Sequence, residues 1–353
     1  MTGPIHIVAT GARTPLGLQA ASAAAAVRAR ISALKQHPFM VDSVGDLMPG
    51  AFDAEIAPHV IGTERMLILA ETALREVCAP LESISASHTR LPLYIGLPEH
   101  RPGFSNKDAE TLRTGIEQIQ GLPIHFAEIK LFLKGHAAGF SALTAAIETI
   151  KKGRYDACLV GGVDSYFHPD TMEWLDANRQ LVGAVSRSGF VPGEGAGFCL
   201  VMTEQACTRI GIKILACVRE VGLGKETKLI KTTDMCLGEG LTATVRNAIN
   251  SLHLPTEKIN TIFCDVNGER YRSEEWGFVC LRLGQYFDDP AAYLSPAECW
   301  GDMGAASAPL FAMLACQAFE RGYSEGSRTM LWASSESGER GVAVLDAMIK
   351  VSR

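Results

Sequence analysis

Apolar and polar positions along this chain switch between two periods, one suited to strands and one to helices. Ile5 to Thr10 is a β-rich run that ends in Gly11, and after Pro15 and Gly17 an alanine-rich stretch from Gln19 to Arg30 reads as a helix. The chain therefore opens as strand, loop and helix. Glu64 to Val77 has helical spacing, Leu91 to Ile95 predicts a strand, and Asn106 to Ile119 predicts a helix with one polar face. This alternation is the mark of an α/β fold.

The richest stretch begins at Gly135. A small-residue helix opens at His136 and runs to Lys152 and Gly153, and a buried strand, Ala157 to Val160, is expected to stop at Gly161 and Gly162. A weaker echo begins at Gly301 and Asp302, continues through Met303, Gly304 and Ala305 into a helix ending near Arg321 and Gly322, and is followed by a strand from Thr329 to Ala333. Two copies half a chain apart suggest duplicated halves, residues 1–205 and 206–353. Between them, Gly189 to Gly197 carries four glycines and Glu194 ahead of the apolar run Phe198 to Met202. These glycines predict tight turns or close backbone approach before another buried strand, and Glu194 is expected to hold the loop through backbone amides.

Composition narrows the classes. Of 353 residues, 47% are hydrophobic and 20% charged; with no apolar run of about 18 residues, the chain reads as a globular protein that does not span a membrane. Its net charge of −6 argues against nucleic-acid binding. The densest basic cluster, Lys225, Lys228 and Lys231, reads as a solvated loop or helix end. Ten cysteines form no CxxC pair and show no zinc-ligand spacing, so they read as reduced. The opening MTGPIHIVATG has no secretory pattern, and the cytoplasm is the expected location.

Three ordered pieces carry a family resemblance: IVATGARTPLG at the start, KGHAAGFSALTAAIETIKKGRYDACLVGGVDS in the middle, and GFVPGEGAGFCLVM after it. Together they resemble the β-ketoacyl synthases of the thiolase superfamily. The resemblance implies a thiolase-like fold, two similar halves in a five-layered α/β/α/β/α arrangement, usually dimeric, with shortened loop insertions in this shorter chain. It also implies a site at which a cysteine takes the acyl group, two histidines promote decarboxylation, and a lysine supports them.

At the matching positions the residue types differ. His136 stands where the nucleophilic cysteine is expected, Asn267 and Asp302 stand at the two histidine positions, and Ala297 stands at the lysine. The late glycine-rich loop falls on Ser334 to Gly338. The resemblance therefore implies a degenerate synthase-like protein without ordinary condensing activity, acting as a dimeric scaffold or as an accessory partner of a related synthase. Two alternatives stay open. His136 paired with Asp302 could serve a hydrolase or acyltransferase, or the chain could bind an acyl group or acyl carrier protein without turnover. The helix N-terminus disfavours an imidazolium at His136 while Asp302 favours it, and these oppose one another. No cofactor is implied, and a metal at His136 and Asp302 lacks a third ligand. Cys264 and Cys299 lie three residues before Asn267 and Asp302 and are read as buried packing residues.

Overall fold

The computed structural model describes residues 3–84, 90–184, 186–229, 232 and 234–348. Lys231 lies outside them. The strands are β1 (Ile5–Arg13), β2 (Lys35–Val41), β3 (Leu47–Gly50), β4 (Arg90–Leu97), β5 (His125–Leu133), β6 (Ala157–Ser165), β7 (Glu194–Thr203), β8 (Ala216–Lys225), β9 (Thr261–Cys264), β10 (Arg328–Ser334) and β11 (Glu339–Ala347). The helices are α1 (Ala20–Arg28), α2 (Gly62–Cys78), α3 (Asn106–Glu117), α4 (Ala138–Lys151), α5 (Pro169–Ala177), α6 (Glu204–Ile210), α7 (Glu239–Ile249), α8 (Arg270–Leu283), α9 (Ala297–Trp300) and α10 (Ser307–Arg321).

Two strand sets with the same internal order make up the main sheet. The first runs β5-β4-β6-β7-β1 and the second β8-β11-β10-β9. In the first, two parallel pairs (β5 with β4, β4 with β6) and in the second one (β9 with β10) are followed by antiparallel neighbours. The second set has no counterpart of β5. The segment around Leu294 takes that edge instead, exchanging backbone hydrogen bonds with Ile262 and Cys264. β1 and β8 join the two sets through only three residue pairs, Ile5 to Ile7 against Ala216 to Val218. Residue 205 falls inside α6, which connects them.

Burial follows the pleat. In β6, Cys158 and Val160 face one core while Leu159 and Val163 face another; in β10, Leu331 and Ala333 face the first core and Met330 and Trp332 a third. The shared core is filled by α4 and α10, which lie between the two strand sets. α2 and α3 cover the outer face of the first set, and α7 and α8 that of the second. This is the five-layered arrangement the resemblance implies. A separate hairpin, β2 with β3, packs on Tyr166 and Phe167 through a small fourth cluster. Among the described residues no helix is long and apolar enough to cross a membrane.

Two expectations about glycine are corrected. β6 does not stop at Gly161 and Gly162 but continues to Ser165. These glycines are there for space: a Cβ on Gly161 would lie 1.9 Å from Phe198 Cδ1, and one on Gly162 would lie 2.2 Å from the Ala305 carbonyl oxygen. Likewise Gly195 and Gly197 lie within β7, pressed against Met303 and Leu310. Glu194 is also within β7, and although it accepts one backbone amide, from Asp53 at 2.7 Å, its main partner is Arg65, which grips both of its oxygens.

The late helix also begins later than its sequence suggests. Gly301 and Gly304 have φ of 73° and 47°, so the chain turns twice before α10 starts at Ser307. Both central helices are entered the same way, through a positive-φ glycine and one 3₁₀ turn: Gly135 to Ala137 for α4, and Gly304 to Ala306 for α10. The structural echo of Gly135 is thus Gly304, three residues beyond Gly301.

Because the atom facing Gly162 is backbone, the neighbour cannot rotate away. Gly162→Ala is expected to cost about 1–3 kcal/mol, read as a lowered midpoint in urea denaturation with an unchanged slope. A variant as stable as the parent would contradict this close approach.

Candidate functional site

Four segments meet where the N-termini of the two central helices converge. The turn into α4 supplies His136, the end of β6 supplies Asp164, Ser165 and the adjoining Tyr166, the loop after β9 supplies Asn267 and Glu269, and the approach to α10 supplies Asp302. His136 is 7% exposed and Asp302 2%, so their charges are settled by each other and by close neighbours rather than by water.

Asp302 is the hub. His136 Nε2 lies 2.8 Å from its Oδ1 and 3.0 Å from its Oδ2. Tyr166 donates its hydroxyl to Oδ1 at 3.0 Å, the Gly304 amide donates to Oδ1 at 2.8 Å, and Asn267 Nδ2 donates to Oδ2 at 2.5 Å. A carboxylate offers about four acceptor positions, and these donors fill them. The structure thus brings together His136, Asn267 and Asp302, the three residues singled out from the sequence. Ala297 lies in α9, half-buried, and does not line the adjoining cavity.

A buried cation does stand beside His136, from a position that no motif marked. Arg272 in α8 has no measurable exposure, and its Nη2 lies 3.3 Å from His136 Nε2. It is bound to Asp265, to Glu269 at 3.2 Å, and to the Ser334 carbonyl. Sequence reasoning also missed Tyr166, Arg101 and Asp164. Arg101 pairs with Asp164 at 2.6 Å and lies over the Tyr166 ring, 4.3 Å from its centre. Asp164 in turn accepts the Ala305 amide at 2.9 Å. The loop Ser334 to Gly338 reaches the site as anticipated: Ser335 Oγ accepts the Ala137 amide at 2.9 Å, and Ser337 bonds to Glu99.

These contacts decide the protonation question. Burial opposes a charged imidazole at His136, and Arg272 does too, but the Asp302 carboxylate and its hydrogen bond outweigh them and raise the His136 pKa above 6.5. At Asp302 burial favours the neutral acid, yet His136, Arg272 and the Asn267 amide hold the carboxyl well below the usual carboxylate range. The favoured pair is imidazolium and carboxylate. Burial raises Asp265 and Glu269 against the pull of Arg272, and Glu336 and Asp302 push Glu269 further up.

His136 opens on a cavity of about 260 Å³. Its wall carries the charged side chains of Glu99, Arg101, Asp164, Glu269, Arg272 and Glu336 and the rings of Tyr166, Trp174 and Phe190. The apolar space behind, lined by Gly139, Phe140 and Leu143 among others, is only about 20 Å³. None of the ten cysteines lines the cavity at His136. Burial pushes the Cys264 thiol well above 9.0, and burial with Glu298 raises Cys299, so neither is poised as a thiolate. Among the described residues the only trio spaced to hold a metal is Glu226, Cys236 and Glu275, away from this cavity. Its carboxylates are already engaged, Glu275 by Arg340 and Glu226 by the Gly240 amide.

Residues 135–206 match the model of the β-ketoacyl synthase N-terminal domain. Nodulation protein E of Rhizobium meliloti is 28% identical over 141 residues, covering 36% of this chain and 35% of that protein. A highly reducing polyketide synthase of Penicillium rubens is 27% identical over 173 residues, which is 44% of this chain and 7% of that protein. The chain thus matches about a third or less of the length of these two relatives. Among solved structures, the ishigamide ketosynthase/chain length factor superposes with a TM-score of 0.78 at 15% identity, covering 99% of this chain and 100% of that one. A type II polyketide synthase acyl-carrier protein in complex with its ketosynthase gives 0.77 at 15% identity over 99% and 100%. A β-ketoacyl synthase from Burkholderia phymatum gives 0.75 at 15% identity with the same coverage. The chain has the thiolase-like ketosynthase fold.

Removing one partner of the buried pair strands the other, so Asp302→Ala is expected to cost about 3–5 kcal/mol in chemical denaturation. The pH dependence has a definite direction. His136 holds its proton more tightly folded than at its ordinary 6.5, so its stabilisation is complete below pH 6.5 and fades as pH rises through the raised folded value. Asp302, held below its ordinary 3.8, stabilises above that pH and loses its contribution as pH falls. The stability gap between wild type and His136→Gln should therefore be widest between pH 3.8 and 6.5; a gap that widens above pH 6.5 would refute the ion pair.

Proposed function

We propose that this is a ketosynthase-fold protein without ordinary condensing activity, acting as a dimeric scaffold or as the accessory partner of a related synthase. One observation carries the reading: at the head of α4 a histidine is hydrogen-bonded to a saturated carboxylate, where the resemblance calls for a nucleophilic thiol. Condensation requires a group that accepts an acyl chain and a pocket that houses it. His136 is held by Asp302, no cysteine lines the cavity, and the apolar space behind the helix is only about 20 Å³.

Dimerisation is supported by β5. Among the described residues only β4 pairs with it and its other edge is open, while Phe126, Ile129, Leu131, Phe132 and Leu133 are merely half-buried. An exposed apolar edge of this length is a liability unless another chain covers it. A solved neighbour is named as a ketosynthase/chain length factor and another as a ketosynthase with its acyl-carrier protein; a synthase subunit or a carrier protein is accordingly the class of partner we assign, in the cytoplasm. We also take the chain to divide into two halves near residue 205.

A second reading, hydrolysis or acyl transfer by His136 with Asp302, is favoured by the 2.8 Å contact and the cavity beside it. It requires a neutral imidazole with a free acceptor nitrogen, which the raised His136 pKa disfavours near neutrality.

Incubation of the wild type with an octanoyl thioester and a malonyl thioester is expected to leave the intact mass unchanged and to yield no β-ketoacyl product. An acyl adduct or a condensation product would overturn the reading. Thioester hydrolysis that is lost in His136→Ala would establish the second reading instead. Sedimentation equilibrium should give the mass of two chains, and a monomer would remove the dimeric part.

A further inference from the structure

The wall of the cavity beside His136 differs in chemistry from a channel for an alkyl chain. Its volume of about 260 Å³ falls just below the roughly 300–1,000 Å³ typical of pockets for drug-sized ligands. The ligand it suits is small. Each cation at its edge already has a carboxylate: Arg101 has Asp164, Arg272 has Asp265 and Glu269, and His136 has Asp302. Glu99 adds a further, half-buried carboxylate, and its described hydrogen-bond partners are the backbone amide and hydroxyl of Ser337, which are neutral. Leaving aside Glu336, which lines the wall and has a partner of its own, the described carboxylates Glu99, Asp164, Asp265, Glu269 and Asp302 stand against the cations Arg101, Arg272 and His136, a surplus that falls on Glu99. An ammonium group would reduce that surplus, and aromatic faces in the same wall favour a cation.

A second, independent feature asks for an acceptor. The Arg101 side chain is 9% exposed and lines the cavity, yet its Nε has no hydrogen-bond partner. A buried donor left unsatisfied costs about 1–3 kcal/mol, and an anionic oxygen in the cavity, reached by a small shift of the guanidinium, would satisfy it. The rings of Trp174 and Phe190, with Leu175, supply an apolar surface between these polar ends.

We propose that the cavity binds a small apolar amino acid, its ammonium against Glu99, its carboxylate against Arg101 and its side chain against Trp174 and Phe190. The assignment rests on the reading that the site no longer condenses acyl groups, and it concerns binding alone. Isothermal titration with L-leucine as the probe tests it. The wild type is expected to bind L-leucine, Glu99→Gln to bind it at least tenfold more weakly, and Glu99→Asp to recover part of the loss. Because an Arg101 variant would strand Asp164 and could unfold, the carboxylate is tested from the ligand side: L-leucinol should bind the wild type more weakly than L-leucine. No heat from the folded wild type with millimolar L-leucine, unchanged affinity in Glu99→Gln, or tighter binding of an octanoyl thioester than of L-leucine would each overturn the proposal. The first two outcomes leave the non-condensing reading intact, whereas a condensation product would retire that reading first.

Discussion

The structure depends on how closely two buried helices can approach. α4 and α10 share the central layer, and at their contact a Cβ on Gly139 would lie 2.8 Å from Ala308 Cβ. Small residues at that contact let the two helices close up, the turn into α10 lies backbone to backbone on Gly162, and Leu310 packs over Gly195 and Gly197. The two helix N-termini are thereby carried to the same place. Their free amides need acceptors, and each finds one in the opposite half of the chain: Ala137 in Ser335 Oγ and Ala305 in Asp164. The close packing and the polar site are one arrangement.

Placing so many charges in a dry interior is expensive unless each is matched. Here the matching is nearly complete around Asp302 and Arg272, and that sets the character of the site. A catalytic group needs one coordination position held open for substrate. Asp302 has none left, and the His136 Nε2–H is given to it, with the Arg272 guanidinium 3.3 Å away opposing the imidazole's charge. Groups satisfied to this degree fix loops in place. The loops after β6, β9 and β10 are all held by this network, and they are the segments that border the cavity.

The sequence made the central elements legible because small-residue helices beside buried strands leave a strong local signature. Gly135 to Lys152, Ala157 onward and the late helix were all readable from it, and the pairing of His136 with Asp302 followed from the family resemblance, which sets those two positions face to face. Gly161 and Gly162 were misjudged for a physical reason, since glycine that ends a strand and glycine that lets a neighbour press on a strand look identical in one dimension, while the close approach expected at Gly195 and Gly197 is found inside β7 rather than ahead of it. The extra turn before α10 was hidden in the same way, since positive φ at Gly301 and Gly304 is a property of the fold. Arg272, Tyr166, Arg101 and Asp164 left no local signal at all. They are ordinary polar residues on separate elements, and their role arises only when α8, β6 and the chain after β4 are folded together.

The same distinction separates what this fold retains from what its site can do. Helix packing, strand order and the paired entry turns depend on size and backbone conformation, and these tolerate a change of chemistry at His136 and Asp302 as long as the charges balance. Site chemistry depends on which groups remain unbalanced. Asp302 has its acceptor positions filled, whereas among the described residues the cavity wall holds Glu99, with only neutral partners, and an unsatisfied Arg101 Nε. Under the proposed function, recognition therefore sits on the outer wall, where a small charged molecule would be held, rather than at the helix N-terminus.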